Sequence, residues 1–142
     1  MADIDDKISV LCVEDNPHVA EALRIKLTRT SLFEWKGWLP AADSLHEVAV
    51  EVEPEIILLD LDMPGKDPLD AASEFLESYP SARVIVFSGH VRQDLIDRAL
   101  EAGAWGYASK NDGEDELVNV LMCVRAGEVA LSPEVRSIYN RN

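Results

Sequence analysis

Short apolar runs alternate with helical patterns along this 142-residue chain, and that alternation is the strongest constraint on its fold. Near-continuous runs of Ile, Val and Leu are typical of strands that are buried on both faces of a parallel sheet. We predict five strands: residues 8–13 (ISVLCV), 33–39 (FEWKGWL, which alternates more), 55–60 (EIILLD), 83–88 (RVIVFS) and 105–109 (WGYAS).

A helical pattern follows each predicted strand, and a side chain that favours a helix start precedes most of these patterns. Two of the starts place a capping residue before proline at the first helical position. A third has the spacing of a capping box. The predicted starts are Asn16-Pro17, Ser44 with Glu47, Asp67-Pro68, the segment from residue 91, and Asp112.

Five strand–helix units with short connections predict an α/β fold with a five-stranded, doubly wound parallel sheet, (βα)5. Residues 1–126 are expected to form this single domain. The text after Gly127 does not fit a sixth unit, although Ser132-Pro133-Glu134 could start one more short helix. Residues 127–142 are therefore expected to be a C-terminal tail or the start of a linker.

The composition excludes several classes of protein. A net charge of −14 repels a phosphate backbone, so no direct binding of nucleic acid is expected. No apolar run approaches the roughly 20 residues of a membrane helix, and the acidic start MADIDDKISV has no signal-peptide core. We expect a cytoplasmic protein without a membrane partner, in which Cys12 and Cys123 are buried, reduced thiols.

Polar side chains follow four of the predicted strands at their carboxyl ends. Because ligands of open parallel sheets bind outside that edge, these side chains are expected to meet there. They are Glu14 and Asp15 after the first strand, Asp60 and Asp62 after the third, Ser88 and His90 after the fourth, and Ser109 and Lys110 after the fifth.

The expected cluster has the chemistry of phosphoryl transfer. Glu14, Asp15 and Asp60 would repel one another, and a hard divalent cation such as Mg²⁺ relieves that repulsion while leaving room for phosphate oxygens. Lys110 adds a positive charge and Ser88 a hydroxyl donor, which suit the spread negative charge of a transferring phosphoryl group. A carboxylate can itself be the nucleophile and form an acyl phosphate.

Four segments, VLCVEDNP, ILLDLDMPG, VIVFSGH and AGAWGYASK, resemble the receiver domain of two-component response regulators, which has a flavodoxin-like fold. The resemblance runs from about Lys7 to Ala126, with the motifs in the family's order. It implies that Asp60 accepts a phosphoryl group from a histidine kinase or a phosphotransfer protein. It also implies a magnesium ion held by Glu14, Asp15, Asp60 and the backbone carbonyl of Asp62.

The resemblance implies roles for further residues. Ser88 and Lys110 would bind the phosphoryl oxygens, and Ser88 and Tyr107 would act as the switch, with Tyr107 rotating into vacated space. Asp62 and His90 would flank the attacking water and tune the lifetime of the phosphorylated state. The output would be a repacked surface of the fourth helix, fifth strand and fifth helix, and the domain would catalyse only its own phosphorylation and dephosphorylation.

The chain departs from the family's common text at three places. Asn111 follows Lys110 where many receivers have proline, and Pro68 follows Asp67 where glycine is common. Trp105 is bulkier than usual and is expected on the exposed output face.

Trp35 and Trp38 are interpreted as packing residues that do not readily share one face of their strand, since Gly37 disturbs their spacing.

The tail text RAGEVALSPEV resembles the NarL/FixJ group, in which a linker leads to a LuxR-type helix-turn-helix. The resemblance implies transcription regulation. The chain is then either a fragment of a longer regulator whose further domain binds DNA, or a stand-alone receiver. Homodimerisation stays open.

Two other functions are left open by the residues. Residues 60–62, DLD, have the same spacing as the DxD pair of haloacid-dehalogenase-type phosphatases. In those phosphatases, however, the pair usually follows the first strand and is followed by Thr or Val. A receiver fold that signals by binding alone, without phosphate, is the second. Turnover of a generic phosphate ester would support the first, and failure to bind Mg²⁺ the second.

Overall fold

The computed structural model describes residues 7–139, in which strands and helices alternate. The strands are Ile8–Val13 (β1), Phe33–Leu39 (β2), Ile56–Leu59 (β3), Arg83–Ser88 (β4), Gly106–Ser109 (β5) and Ala130–Leu131 (β6). The α-helices are Pro17–Arg29 (α1), Leu45–Val52 (α2), Pro68–Ser78 (α3), Gln93–Glu101 (α4), Glu114–Arg125 (α5) and Pro133–Tyr139 (α6). Short 3₁₀ turns cover Ala42–Ser44 and Lys110–Asp112.

All neighbouring strands of the sheet are parallel, in the order β2-β1-β3-β4-β5-β6. The predicted parallel α/β architecture is confirmed, but the prediction of five strands is wrong. A sixth strand, β6, pairs with β5 at Gly106↔Ala130 and Tyr107↔Leu131. A strand of two residues is too short to show a repeating pattern of apolar residues. The sequence after Gly127 therefore did not predict β6.

The sheet is covered on both faces, because alternate strand residues point to opposite sides. Leu11 and Val13 of β1 join a buried cluster with α2, α3, α4 and α6. Val10 and Cys12 join the other cluster, with α1 and α5. Burial raises the pKa of the Cys12 thiol to about 12, whereas Cys123 is exposed on α5, so the expectation of two buried cysteines is wrong for Cys123.

Two of the predicted helix caps are confirmed and two are wrong. The side chains of Asn16 and Asp67 accept backbone N–H bonds at the starts of α1 and α3, each before a proline. Ser44 makes no capping bond, because it ends a 3₁₀ turn that leads directly into α2. Asp112 lies one residue before the cap position of α5, which Gly113 occupies.

The C-terminal residues pack onto the sheet edge at β5. The predicted short helix from Ser132-Pro133 is confirmed as α6, whose Val135 is fully buried in the same cluster as Tyr107. The buried Ser109 N–H donates to Ser132 Oγ over 2.9 Å. The domain boundary after residue 126 stays a prediction. Among the described residues, no helix combines the length and apolar character that a membrane crossing requires.

The edge strand β2 contains a bulge that turns its two tryptophans to the same side. Val10 pairs with Trp35 and Cys12 with Trp38, so Lys36 is the extra residue. Val10 and Cys12 belong to one core cluster, and their partners therefore lie on one face. The expectation that Trp35 and Trp38 do not share a face is wrong, because the bulge at Lys36-Gly37 restores the period that their three-residue spacing breaks.

Candidate functional site

The carboxyl ends of β1, β3, β4 and β5 meet around an open cavity of about 270 Å³. Six of the residues predicted from sequence line it, together with two that were not singled out for this purpose. The lining comprises Glu14, Asp15, Asp60, Asp62, His90 and Lys110, and in addition Asn16 and Gly89.

Three carboxylates form the acidic part of this cavity. Glu14 and Asp60 are only 2% and 4% exposed, whereas Asp15 is exposed, and one oxygen of each lies within 4.8 Å of the others. Partial desolvation, and secondly the neighbouring Glu14, raise the pKa of Asp15. Three hard oxygen donors around one point fit a divalent cation of the magnesium type, which binds one or two carboxylates and keeps several waters.

Lys110 is the cation that faces these acids. Its Nζ lies 2.6 Å from Glu14 Oε1 and 3.6 Å from Asp60 Oδ2. Partial burial opposes the charge of Lys110, but the bond to Glu14 and the charge of Asp60 outweigh it, so the pKa of Lys110 is raised. One ammonium against three carboxylates leaves the cavity with an excess of negative charge.

Asp62 and His90 form a pair over the mouth of the cavity. The Asp62 N–H donates to Asp60 Oδ1 over 3.3 Å, while the Asp62 carboxylate points outward and lies 3.1 Å from His90 Nε2. Both side chains are largely exposed. The bonded pair thus lines the same cavity as Asp60 while staying exposed to solvent.

Ser88 and Tyr107 lie behind the cavity and do not line it. Ser88 is fully buried at the end of β4, where its Oγ accepts the His90 N–H over 3.0 Å. The Tyr107 hydroxyl donates to the His90 carbonyl over 2.5 Å, and burial raises the pKa of this phenol to about 12. The Tyr107 ring therefore already lies inside the protein, whereas the sequence led us to expect a ring that moves inward on phosphorylation.

Comparison with known proteins identifies this arrangement. The family model of the response regulator receiver domain matches residues 10–122. The chain belongs to the response regulator receiver domain family. The prediction of a two-component receiver domain is thereby confirmed.

Curated relatives of this receiver domain include transcriptional regulatory proteins and the response regulator NarL. The transcriptional regulatory protein MctR of Rhizobium johnstonii is 30% identical over 129 residues, which cover 91% of this chain and 60% of that protein. The nitrate/nitrite response regulator NarL of Escherichia coli is 29% identical over 124 residues, 87% of this chain and 57% of that protein. This receiver domain thus spans about 60% of the length of the curated relatives it matches.

Solved structures match the receiver domain over nearly its whole length. A LuxR-family two-component response regulator from an Aurantimonas species superposes with a TM-score of 0.90 at 27% identity, covering 95% of this chain and 96% of that one. The isolated receiver domain of RcsB from Salmonella enterica, solved with a phosphomimetic, gives 0.85 at 18% identity, covering 93% and 98%, and that likeness shows the fold alone.

The structure gives a physical account of one departure of this receiver domain from the family's common text. Asn111, which stands where many receivers have proline, uses its backbone N–H to bond Ser109 Oγ over 3.0 Å, and proline has no such donor. Its side chain also bonds the Glu134 carboxylate of α6. The next residue, Asp112, accepts the Glu134 N–H over 2.9 Å.

Trp105 of this receiver domain is half-buried, whereas the sequence led us to expect an exposed ring on the output face. It precedes β5 at the amino edge of the sheet, opposite the cavity, where Arg83 stacks over its ring with the guanidinium carbon 4.4 Å from the ring centroid. Arg83 also donates to the Val124 carbonyl at the end of α5. Arg83 thus connects Trp105 to the C-terminal end of α5.

Sequence reasoning missed two contacts of the acidic loop. The Asn16 N–H donates to Glu14 Oε2 over 3.1 Å, and the indole N–H of Trp38 donates to the Glu14 carbonyl. Asn16 was identified only as a helix cap. Trp38 comes from another strand, and no local pattern connects it to Glu14.

Proposed function

We propose that Asp60 is the phosphoacceptor of this receiver domain and that the cavity around it binds the phosphoryl group with Mg²⁺. The observation that carries the proposal is the position of Asp60, a buried carboxylate that faces Lys110 and lies beside two further acids. Glu14 shares this burial and this cluster, but both of its oxygens are already bonded, Oε1 by Lys110 over 2.6 Å and Oε2 by the Asn16 N–H over 3.1 Å, whereas Lys110 lies 3.6 Å from Asp60.

The phosphoryl donor is a phosphohistidine of a partner histidine kinase or phosphotransfer protein. An Asp60 oxygen attacks phosphorus in line, the P–N bond to histidine breaks, and an acyl phosphate forms. Lys110 neutralises the phosphoryl oxygens. Ser88, which lies behind the cavity before phosphorylation, moves toward one of these oxygens and donates its hydroxyl to it. Mg²⁺, held by Glu14, Asp15, Asp60 and the Asp62 carbonyl, would supply charge neutralisation during the transfer.

The same site later releases phosphate, so the domain catalyses only its own phosphorylation and dephosphorylation. Water attacks the phosphorus of the Asp60 acyl phosphate and restores the carboxylate. The Asp62–His90 pair stands over the mouth of the cavity, where it controls the approach of that water. The two side chains therefore tune the lifetime of the phosphorylated state.

Phosphorylation switches the region made of α4, β5 and α5, on which β6 and α6 pack. The acyl phosphate carries about −1.5 to −2 charges where the Asp60 carboxylate carried −1, and it draws Lys110 away from Glu14, its present partner. Shifting a surface from 1:99 to 99:1 needs roughly 5.5 kcal/mol, which two or three charge-assisted bonds of about 1.5–3 kcal/mol can supply. Tyr107 transmits the conformational change through its bond to the His90 carbonyl, which lies in the loop between β4 and α4.

In a longer protein, this receiver would control a further domain. Its relatives include proteins named transcriptional regulators, of which it spans about 60%. We propose a cytoplasmic transcription regulator in which DNA binding resides outside these 142 residues. The strongly acidic receiver itself does not bind DNA. RcsB, which shares this fold, has been solved as two dimers bound to DNA, and a phosphorylation-dependent homodimer is part of the proposal.

Labelling by a small-molecule donor tests the proposed function. The chain is incubated with Mg²⁺ and acetyl phosphate, and its intact mass is measured. We expect one phosphoryl group on the wild type and none on Asp60→Asn. Asp62→Asn is the matched control, because it removes a nearby acid and should still be labelled. Labelling of Asp60→Asn equal to that of the wild type would overturn the assignment.

The two alternative functions are less favoured. The family match covers the whole cavity region and identifies a receiver, not a haloacid-dehalogenase-type phosphatase. An interaction module that never takes phosphate has no use for the acidic cluster and its facing lysine. The labelling experiment separates the receiver from a pure binding module, which would stay unlabelled. An assay with a generic phosphate ester separates the receiver from a phosphatase, which would turn the ester over.

A further inference from the structure

Trp38 holds the acidic loop from outside the site. It is the next-to-last residue of the edge strand β2, and the residue is 39% exposed. Its indole N–H donates to the backbone carbonyl of Glu14. That carbonyl belongs to the peptide bond between Glu14 and Asp15, so the indole bond fixes the plane from which the Asp15 side chain emerges.

The backbone of Glu14 is held on both sides by β2. Its N–H donates to the carbonyl of Leu39 over 2.9 Å, and its carbonyl accepts from Trp38. Its side chain, in turn, receives Lys110 and the Asn16 N–H. The end of β2 therefore positions the main chain of the two acids, while Lys110 and Asn16 position only one side chain.

The bulge in β2 brings the indole to this place. With Lys36 as the extra residue, Trp38 pairs with Cys12. A regular strand would instead pair Trp38 with Val13, whose side chain lies in the cluster on the other face. Gly37, at φ +141°, supplies the backbone conformation that the bulge requires, and an added Cβ there would meet nothing closer than 3.8 Å, so the need for glycine is conformational.

We propose that Trp38 is a positioning residue for the metal and phosphoryl site, acting through the Glu14–Asp15 peptide. The inference rests on the proposed function of that site. Like-charged carboxylates near Asp60 tend to move apart, and the indole bond keeps Asp15 close to Asp60 before a cation arrives. A site organised in advance binds its ion more tightly than one that must order on binding.

Magnesium titration calorimetry of Trp38→Phe tests the inference, because phenylalanine keeps an aromatic ring but lacks the N–H donor. We expect a three- to tenfold loss of Mg²⁺ affinity, the fold-change of about one hydrogen bond, and slower labelling by acetyl phosphate. Trp35→Phe is the matched control on the same strand and face, and its Mg²⁺ affinity should stay within about twofold of the wild type. A Trp38→Phe variant with wild-type affinity would overturn the inference.

A metal-free measurement separates positioning from a general loss of stability. In ¹H–¹⁵N spectra without Mg²⁺, the Trp38 indole proton should exchange slowly despite its exposed ring, and the Asp15 amide should shift in Trp38→Phe but not in Trp35→Phe. Replacing Trp38 by 3-benzothienylalanine, which has sulfur in place of N–H, should reproduce the loss of affinity in a side chain of the same shape. Rapid exchange of the indole proton would contradict the proposed bond.

The outcomes distinguish this inference from the proposed function. A wild type that binds Mg²⁺ and accepts phosphate, with Trp38→Phe unchanged, overturns the role of Trp38 alone. A wild type that neither binds Mg²⁺ nor becomes labelled overturns the proposed function and, with it, the inference.

Discussion

Lys110 links the two buried acids of the site in the absence of metal. Its ammonium bonds Glu14 at 2.6 Å and approaches Asp60 at 3.6 Å. A divalent cation would therefore compete with Lys110 for the acids, and a phosphoryl group would compete with Glu14 for Lys110. Removing one partner of such a pair leaves buried charges uncompensated, which costs more than the pair itself contributes. The side chain should therefore matter for stability mainly when no metal is bound.

Lys110→Met should lower the free energy of unfolding by about 1–3 kcal/mol in EDTA, and much less in excess Mg²⁺, because the ion then compensates the acids. Urea unfolding under both conditions measures this. Lys66→Met is the control: Lys66 pairs with Glu74 on the surface, and its loss should cost less than about 1 kcal/mol with or without Mg²⁺. Equal losses in EDTA and Mg²⁺ for Lys110→Met would contradict the role of Lys110.

At the scale of the elements, Asp67 is a helix cap whose negative charge contributes to stability. Asp67 caps α3 and also pairs with Arg98 of α4 over 3.2 Å. Burial opposes its charge, but the backbone N–H of Asp70, the Arg98 side chain and the N–H of Leu69 outweigh it, so the pKa of Asp67 is lowered. Stability from Asp67 is therefore present above the unfolded pKa of about 3.9 and is lost as the pH falls through the lower, folded value.

Asp67→Ala should destabilise the domain by about 1 kcal/mol at pH 7, and the difference from the wild type should shrink as the pH falls toward about 3. Ser44→Ala is the matched control at the start of α2. It should cost nearly nothing, since Ser44 makes no capping bond. Denaturant unfolding at several pH values checks both. A cost for Ser44→Ala as large as that for Asp67→Ala would contradict the assignment of the caps.

The C-terminal element is joined directly to the site. Asn111 and Asp112 follow Lys110 in one 3₁₀ turn, and both bond Glu134 of α6. Movement of Lys110 toward a phosphoryl group would displace this turn and so disturb α6. β6 and α6 would thus give the proposed switch a second route out of the site, beside Tyr107 and the loop before α4.

Beryllofluoride with Mg²⁺, a phosphoryl mimic, should therefore change hydrogen exchange in residues 130–139 as well as in the loop at 89–92. Glu134→Gln should weaken the link and reduce the change at 130–139 while leaving that at 89–92. Exchange measured by mass spectrometry reads both segments in one experiment. No change at 130–139 in the wild type would show that the C-terminal element does not take part.

At the scale of the whole molecule, the sequence predicts what regular patterns encode. Uninterrupted runs such as 8–13 and 83–88 gave β1 and β4 with their observed bounds, because buried parallel strands need apolar residues on both faces. The meeting of Glu14, Asp60 and Lys110 was predictable, since all carboxyl ends of a parallel sheet share one edge.

The features that the sequence did not predict depend on contacts between distant segments of the chain. β6 has only two residues, and its partner β5 decides whether they form a strand. The inward position of Tyr107 depends on the His90 carbonyl and on the neighbouring α6. The bond from Trp38 to Glu14 depends on a bulge whose only local sign is Gly37.

The central claim is that separated segments build one metal and phosphoryl site around Asp60. A crystal structure with Mn²⁺ in place of Mg²⁺ and with beryllofluoride tests it most directly, because anomalous scattering locates the manganese. We predict a manganese peak in contact with Asp15 and Asp60, beryllium bonded to an Asp60 oxygen, and Lys110 moved from Glu14 toward a fluorine atom. Manganese or beryllofluoride bound away from Asp60, with Lys110 still on Glu14, would contradict the account.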